Sequence, residues 1–117
     1  LEIPAGLLEK DECPMNAALR ELEEETGYRA NKIEKICEYF MSPGMSAGKF
    51  YLYYAEDLVK TQQNLDEDEF VVVEKESLKT ISIDSLSDGK SIIAVEYAKK
   101  KRGILWLLKK FFLFYFL

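Results

Sequence analysis

The 117-residue sequence contains no histidine, only two cysteines, three prolines and six glycines. Without histidine the chain cannot form a Ser-His-Asp triad, a Cys-His nucleophile or a His-ligated zinc site. Cys13 and Cys37 form no C-x-x-C pair, which favours a reduced, cytoplasmic protein over a disulfide scaffold. The few prolines and glycines exclude a collagen-like chain. No signal-peptide pattern is visible, and because the chain opens without Met on a strand-like segment, we expect a missing N-terminus.

Positive charge is scarce over most of the chain. Residues 1–97 carry ten Lys and Arg against 21 Asp and Glu, whereas the last twenty residues carry six basic side chains and no acid. The net charge of −5 argues against a nucleic-acid binder. An acidic body that binds an anion such as a phosphate needs a divalent cation between the two. The length and the 48% hydrophobic content predict a single folded domain.

The hydrophobic spacing predicts an α+β domain or a mixed three-layer sandwich. Residues 14–26 form the strongest predicted helix, because apolar residues recur at helical spacing between Pro14, which suits a first turn, and Gly27, which suits a left-handed cap. That apolar stripe consists of Met15, Ala18, Leu19 and Leu22. Strands are predicted at 1–5, 32–41, 50–55 and 70–73, and further helices at 78–86 and 91–101.

The last fourteen residues, 104–117, are apolar except for two lysines and are too short to span a bilayer alone. Basic residues 99–102 precede them, so the tail could contact a membrane surface. The alternatives are packing against the core or a partner, or a non-native end. We therefore assign 1–103 to the domain and treat 104–117 as an apolar tail of open role.

Four glutamates crowd the end of the first predicted helix. At about 100° per residue, Glu21, Glu24 and Glu25 lie on one side, away from the apolar stripe. Like charges four residues apart repel each other, and a hard cation such as Mg²⁺ offsets the repulsion because it binds carboxylate oxygens and shares them with phosphates. A solvated, glutamate-rich helix is the alternative for such a run considered alone.

The residues around this helix fit a longer pattern. Gly6, Glu12 and residues 20–28 match G-x5-E-x7-R-E-U-x-E-E-x-G-U, where U is apolar or aromatic, at every fixed position. This pattern resembles the signature of the Nudix hydrolases, which cleave nucleoside diphosphates linked to another group. The resemblance covers about residues 1–102. It implies a Nudix-type α/β/α sandwich with a mixed sheet, from which the N-terminal strands are missing here.

The resemblance also implies a Mg²⁺ or Mn²⁺ site that holds a diphosphate. Its metal ligands would be Glu21 and Glu25, assisted by Glu24 and by the carbonyl of Ala5. Arg20 would orient the glutamates or act in catalysis, and Glu12 would be partly structural. In the acidic loop 65–70, Glu67 and Glu69 are candidates for the catalytic base or a further ligand. The alternative is that this loop is only an acidic surface.

Two segments narrow the choice of substrate class. Residues 1–6 and the run Ser42-Pro43-Gly44, whose proline follows Gly27 by sixteen residues, resemble ADP-ribose pyrophosphatases and related nucleotide-sugar hydrolases. We expect substrate contacts at Glu2, Leu7, Ser42, Pro43 and Gly44. The implied reaction converts ADP-ribose to AMP and ribose 5-phosphate, in a protein that is a homodimer at full length. GDP-mannose or ADP-glucose as substrate, and an inactive binding module, remain as alternatives.

Overall fold

The structure is a computed structural model that describes residues 1–67 and 69–102, together with the backbone of 112–116. Its helices are α1 (Pro14–Thr26) and α2 (Gly89–Arg102), and its strands are β1 (Ala5–Leu7), β2 (Tyr28–Ser42), β3 (Ser46–Lys60) and β4 (Phe112–Phe116). The sheet has the order β1-β4-β3-β2, with β1 parallel to β4 and the other pairs antiparallel. The α+β class with a mixed sheet is therefore confirmed.

Helix α1 has the bounds that its sequence predicts. Pro14 is its first residue, and Gly27 ends it at a φ of 67°, where the Gly27 N–H donates to the Glu23 carbonyl at 2.9 Å. Its buried residues are Ala17, Ala18, Leu22 and Thr26, whereas Met15, expected in the buried stripe, is 43% exposed.

The sheet separates two apolar clusters. On β3, Tyr53 and Ala55 pack with buried residues of α1, while Leu52 packs with Ala94 of α2. Since neighbouring strand residues point to opposite faces, the two helices lie on opposite sides of the sheet. Strand β1 runs alongside α1, which brings the start of the chain next to the glutamate-bearing side of that helix.

Several predicted elements differ from the structure. Strand β1 begins at Ala5 and includes Gly6 and Leu7, which the sequence places in a loop. Residues 70–73 form no strand, and Phe70 and Val72 are 95% and 86% exposed, so β propensity without a pairing edge did not produce a strand. In place of a helix at 78–86 there is a single 3-10 turn, Ile83–Ser85. The Ser82 and Ser85 side chains bond nearby backbone there, which competes with helix formation.

The remaining predictions are confirmed with shifted bounds. The strands expected at 32–41 and 50–55 are the central parts of β2 and β3, and the helix expected at 91–101 begins two residues earlier. Within the apolar tail, residues 104–111 and 117 lie outside the described residues, whereas the backbone of 112–116 forms β4, a strand that the sequence did not predict. No helix in the described part of the chain is long and apolar enough to cross a membrane.

Candidate active site

Two glutamates of α1 meet the backbone of β1. The Ala5 N–H donates to Oε2 of Glu25 at 3.1 Å. The Glu21 carboxylate lies against Gly6 so closely that a Cβ on residue 6 would be 2.0 Å from its carboxyl carbon. The glycine that opens the motif thus allows a close approach, since any side chain there would displace the Glu21 carboxylate from its present position.

Arg20 links the acidic residues of the motif. Its guanidinium donates to both oxygens of Glu12, at 3.0 and 2.9 Å, and to Glu21 and Glu24, at 2.8 and 2.9 Å. It also donates to the Leu7 carbonyl at 3.2 Å. Hydrogen bonding to Arg20 lowers the pKa of Glu12, and the Glu9 N–H bonds the same carboxylate. These contacts give Arg20 and Glu12 an orienting role, whereas a direct catalytic role for Arg20 stays a prediction.

The electrostatics of the site favour a cation. Burial, together with the charges of Glu21 and Glu69, raises the pKa of Glu25 to about 7, although the hydrogen bond from Ala5 acts against this shift. Burial also raises the pKa of Glu21, although Arg20 opposes that shift. Half-buried carboxylates whose ionised forms are disfavoured indicate a shortage of positive charge. Glu24 lies at the rim, with 36% of its side chain exposed.

The donor set fits a divalent metal ion of the Mg²⁺ class. Mg²⁺ binds oxygen ligands, and it commonly uses one or two carboxylates together with the phosphates of a substrate. Among residues 1–67 and 69–102, no group of three or more acidic or cysteine side chains converges as a ready-made metal site. In the described arrangement Glu21 and Glu24 bond Arg20, while Glu25 bonds Ala5. The ligand roles of these glutamates and of the Ala5 carbonyl therefore remain predictions.

The segment that leads into the acidic loop is hydrogen-bonded to the end of α1. The Thr61 and Asn64 N–H groups donate to the carbonyls of Gly27 and Glu24, at 2.7 and 2.9 Å, and the Gln63 side chain donates to the Glu25 carbonyl at 2.6 Å. These bonds satisfy carbonyls that a helix end leaves open. No sequence pattern pointed to Gln63, because its partner is 38 residues away.

Glu67 and Glu69 of the acidic loop differ in their electrostatic coupling to the glutamates of α1. Both are exposed. The charge of Glu69 raises the pKa of both Glu21 and Glu25, so Glu69 lies within electrostatic range of the cluster. For Glu67 no such coupling is described, and its role stays a prediction from the loop alone.

The expected substrate contacts lie in two places. Leu7 is 67% exposed at the end of β1, and Glu2 bonds Lys90 at 3.1 Å. The residues Ser42, Pro43 and Gly44 form the turn between β2 and β3, closed by a bond from the Met45 N–H to the Ser42 carbonyl. A cleft of about 360 Å³ between this hairpin and the start of α2 is lined by Met41 and Lys90 among others. The motif glutamates do not line the cleft, whereas Lys90, which bonds Glu2, does.

Comparison with known proteins identifies the family. The NUDIX domain model matches residues 1–101, and the chain therefore belongs to the Nudix family, as its motif indicates. It is 42% identical over 110 residues to the ADP-ribose pyrophosphatase of Bacillus subtilis (strain 168), and 43% identical over 110 residues to the methanol dehydrogenase activator of Bacillus methanolicus. Both alignments cover 89% of this chain and 60% of the relative.

A third relative has another name. The GDP-mannose pyrophosphatase of Yersinia pestis (strain Pestoides F) is 36% identical over 106 residues, which cover 85% of this chain and 53% of that protein. The chain thus spans 60% or less of the length of these three relatives. They share a family with this chain but carry different names, so the family is secure while the substrate is a separate question.

Proposed function

We propose that this chain hydrolyses the diphosphate of ADP-ribose, with Mg²⁺ or Mn²⁺, to AMP and ribose 5-phosphate. The observation that carries the proposal is the placement of Glu21 and Glu25 against the backbone of β1, where one carboxylate lies against Gly6 and the other accepts a hydrogen bond from the Ala5 N–H. ADP-ribose is favoured by the 42% identity to a relative with that named activity, together with the Ser42-Pro43-Gly44 turn.

The carboxylates of α1 are assigned to the cation. When bound, the cation supplies neutralisation of the diphosphate oxygens and a more acidic water. Glu21 and Glu25 would hold it, Glu24 would assist from the rim, and the carbonyl of Ala5, the first residue of β1, would be a further ligand. Arg20 keeps Glu21 and Glu24 in place through the bonds described above.

The acidic loop is assigned the catalytic base, which takes a proton from the attacking water. Glu69 is exposed and electrostatically coupled to the half-buried Glu21 and Glu25, so its carboxylate can accept a proton from the attacking water at the edge of the cluster. Glu67 is the alternative base. Pro43 and its neighbours shape the sugar end, and Glu2 and Leu7 complete the substrate contacts.

A nucleotide sugar such as GDP-mannose is the second candidate substrate, because a relative 36% identical to this chain is named GDP-mannose pyrophosphatase. The two candidates use the same diphosphate chemistry and differ only in the base and the sugar. ADP-glucose separates the effect of the base from the effect of the sugar, since it shares the base of ADP-ribose and carries a hexose as GDP-mannose does.

The test is a substrate panel on the purified chain. ADP-ribose, GDP-mannose and ADP-glucose are incubated with Mg²⁺, with Mn²⁺ or with a chelator, and the products are separated by ion-exchange chromatography. We expect AMP and ribose 5-phosphate from ADP-ribose, only when a metal ion is present, and no activity in E25Q. Equal or faster turnover of GDP-mannose would transfer the assignment to that substrate. Hydrolysis in chelator would contradict the metal assignment.

The panel also separates an enzyme from a binding module. No hydrolysis of any substrate, combined with vesicle binding that is lost when residues 104–117 are deleted, would favour the module. The proposed homodimer is checked on the same preparation by sedimentation velocity.

A further inference from the structure

Lys90 is an unusual lysine, because only 8% of its side chain is exposed. It is the second residue of α2, near a helix end where positive charge is unfavourable. Burial lowers the pKa of Lys90, but bonding to Asp88 and Glu2 outweighs burial, so the pKa is raised overall and the ammonium keeps its charge. Because burying a charge near the start of a helix is unfavourable, the partners of Lys90 should explain why it is there.

Capping of α2 does not supply that reason. Asp88 accepts hydrogen bonds from the Ser91 N–H and the Ser91 hydroxyl, both at 2.9 Å, and so caps the helix without Lys90. The ammonium of Lys90 lies 2.9 Å from Asp88 and also reaches a second carboxylate 88 residues away, that of Glu2, at 3.1 Å.

Glu2 is held in place by hydrogen bonds of the backbone on either side of it. The Ser87 N–H donates to the Leu1 carbonyl, and the Ile3 N–H donates to the Ser91 hydroxyl, each at 3.1 Å, so the backbone on both sides of Glu2 is fastened. Three residues after Glu2, Ala5 bonds Glu25. Lys90 itself lies within electrostatic range of Glu25. Yet 58% of the Glu2 side chain is exposed, and Lys90 bonds only its Oε2.

We propose that Lys90 is a positioning residue for substrate binding, which fixes one oxygen of Glu2 so that the other can accept hydrogen bonds from the hydroxyl groups of the substrate's sugar. The inference rests on the proposed function. A carboxylate with two acceptor oxygens can bond an ammonium and a hydroxyl at the same time. Held in this way, Glu2 loses less conformational freedom when substrate binds, and the gain appears in substrate affinity.

The test is a double-mutant cycle on ADP-ribose hydrolysis with K90M, E2Q and the combined variant. Each single change should raise KM about tenfold, the size of one lost charge-assisted hydrogen bond, with little change in kcat. The combined variant should be no worse than either single variant, because both changes break the same interaction. K90R should restore most of the affinity, since it keeps the cation.

K99M is the matched control. Lys99 is also in α2, and it bonds the Ile81 carbonyl and Glu96 away from the site. We expect wild-type kinetics from K99M. Additive effects of K90M and E2Q, or an unchanged KM in E2Q, would overturn the inference. E2Q still tests the inference if K90M does not fold, because Glu2 is exposed and its replacement should leave the fold intact.

A second readout separates this inference from the proposed function. Calorimetric titration with α,β-methylene ADP-ribose measures affinity without turnover. If the wild-type chain binds the analogue and K90M and E2Q bind it equally well, the role of Lys90 is refuted while the function stands. If the wild-type chain does not bind the analogue, both are refuted.

Discussion

Replacing Glu25 by glutamine is expected to abolish turnover and, at the same time, to stabilise the metal-free protein. Folding raises the pKa of this carboxyl from 4.5 to about 7. At about 1.4 kcal/mol for each tenfold change, that difference sets an upper limit of roughly 3 kcal/mol on the cost of ionising Glu25 in the folded state. Because the side chain is only half-buried and solvent screens it, we expect about 1–2 kcal/mol.

The sign of the effect depends on pH. A carboxyl whose pKa is raised by folding costs nothing below its unfolded pKa of 4.5, and its cost grows until the pH passes the folded value of about 7. The advantage of E25Q should therefore be absent below pH 4.5 and full above pH 7. Glutamine keeps an oxygen for the Ala5 N–H, so the hydrogen bond at 3.1 Å can persist.

Bound metal should reverse the order of stability. A ligand that binds only the folded state adds about 2.7 kcal/mol at one hundred times its dissociation constant. The wild-type chain should gain this stabilisation from Mn²⁺, whereas E25Q, which lacks the charged ligand, should not.

The assay is urea unfolding with chelator or with Mn²⁺, at several pH values between about 4 and 8, a range that spans both pKa values of Glu25. E23Q is the control, because Glu23 lies in the same helix outside the fixed motif positions. Lower stability of metal-free E25Q than of wild type above pH 7 would refute the electrostatic reasoning. Wild-type turnover in E25Q would refute the metal assignment.

Three further changes test other parts of the site. G6A should cut kcat/KM by more than about tenfold, measured on ADP-ribose, because its Cβ would displace the Glu21 carboxylate. R20K should lower kcat by about tenfold, because lysine cannot bond Glu12 with two parallel donors and also reach Glu21 and Glu24; unchanged kcat would contradict the orienting role. L22A should cost about 3 kcal/mol in urea unfolding, since Leu22 is fully buried.

Local signals were sufficient for α1 and for the centres of β2 and β3. Proline at the first position and glycine at the cap act within a few residues, so the bounds of α1 could be predicted from the chain alone. Residues 70–73 show the limit of such reasoning. Their β-branched composition favours a strand, but a strand also needs a neighbouring edge, which sequence spacing does not reveal.

The site was predictable to the same extent. The motif names Glu21, Glu25 and Gly6 together because their spacing is fixed, and the structure brings all three to one place. Lys90 was not predicted as a site residue, since its bond to Glu2 joins residues 88 positions apart. Gln63 was missed for the same reason. Long-range polar contacts leave no periodic trace in a single sequence.

Charged residues in locally unfavourable positions lie close together at this site. Glu21 and Glu25 place like charges one helical turn apart and half-buried, which is unfavourable without a cation. Lys90 places a buried positive charge near the start of a helix, where the dipole opposes it. Each arrangement costs stability by itself, but the two lie within electrostatic range of each other at the start of β1. The charge of Lys90 favours the ionised form of Glu25, yet the pKa of Glu25 still stands at about 7, so the fold alone does not balance these carboxylates. Binding an anionic, hydroxyl-bearing substrate through a cation would supply the missing positive charge.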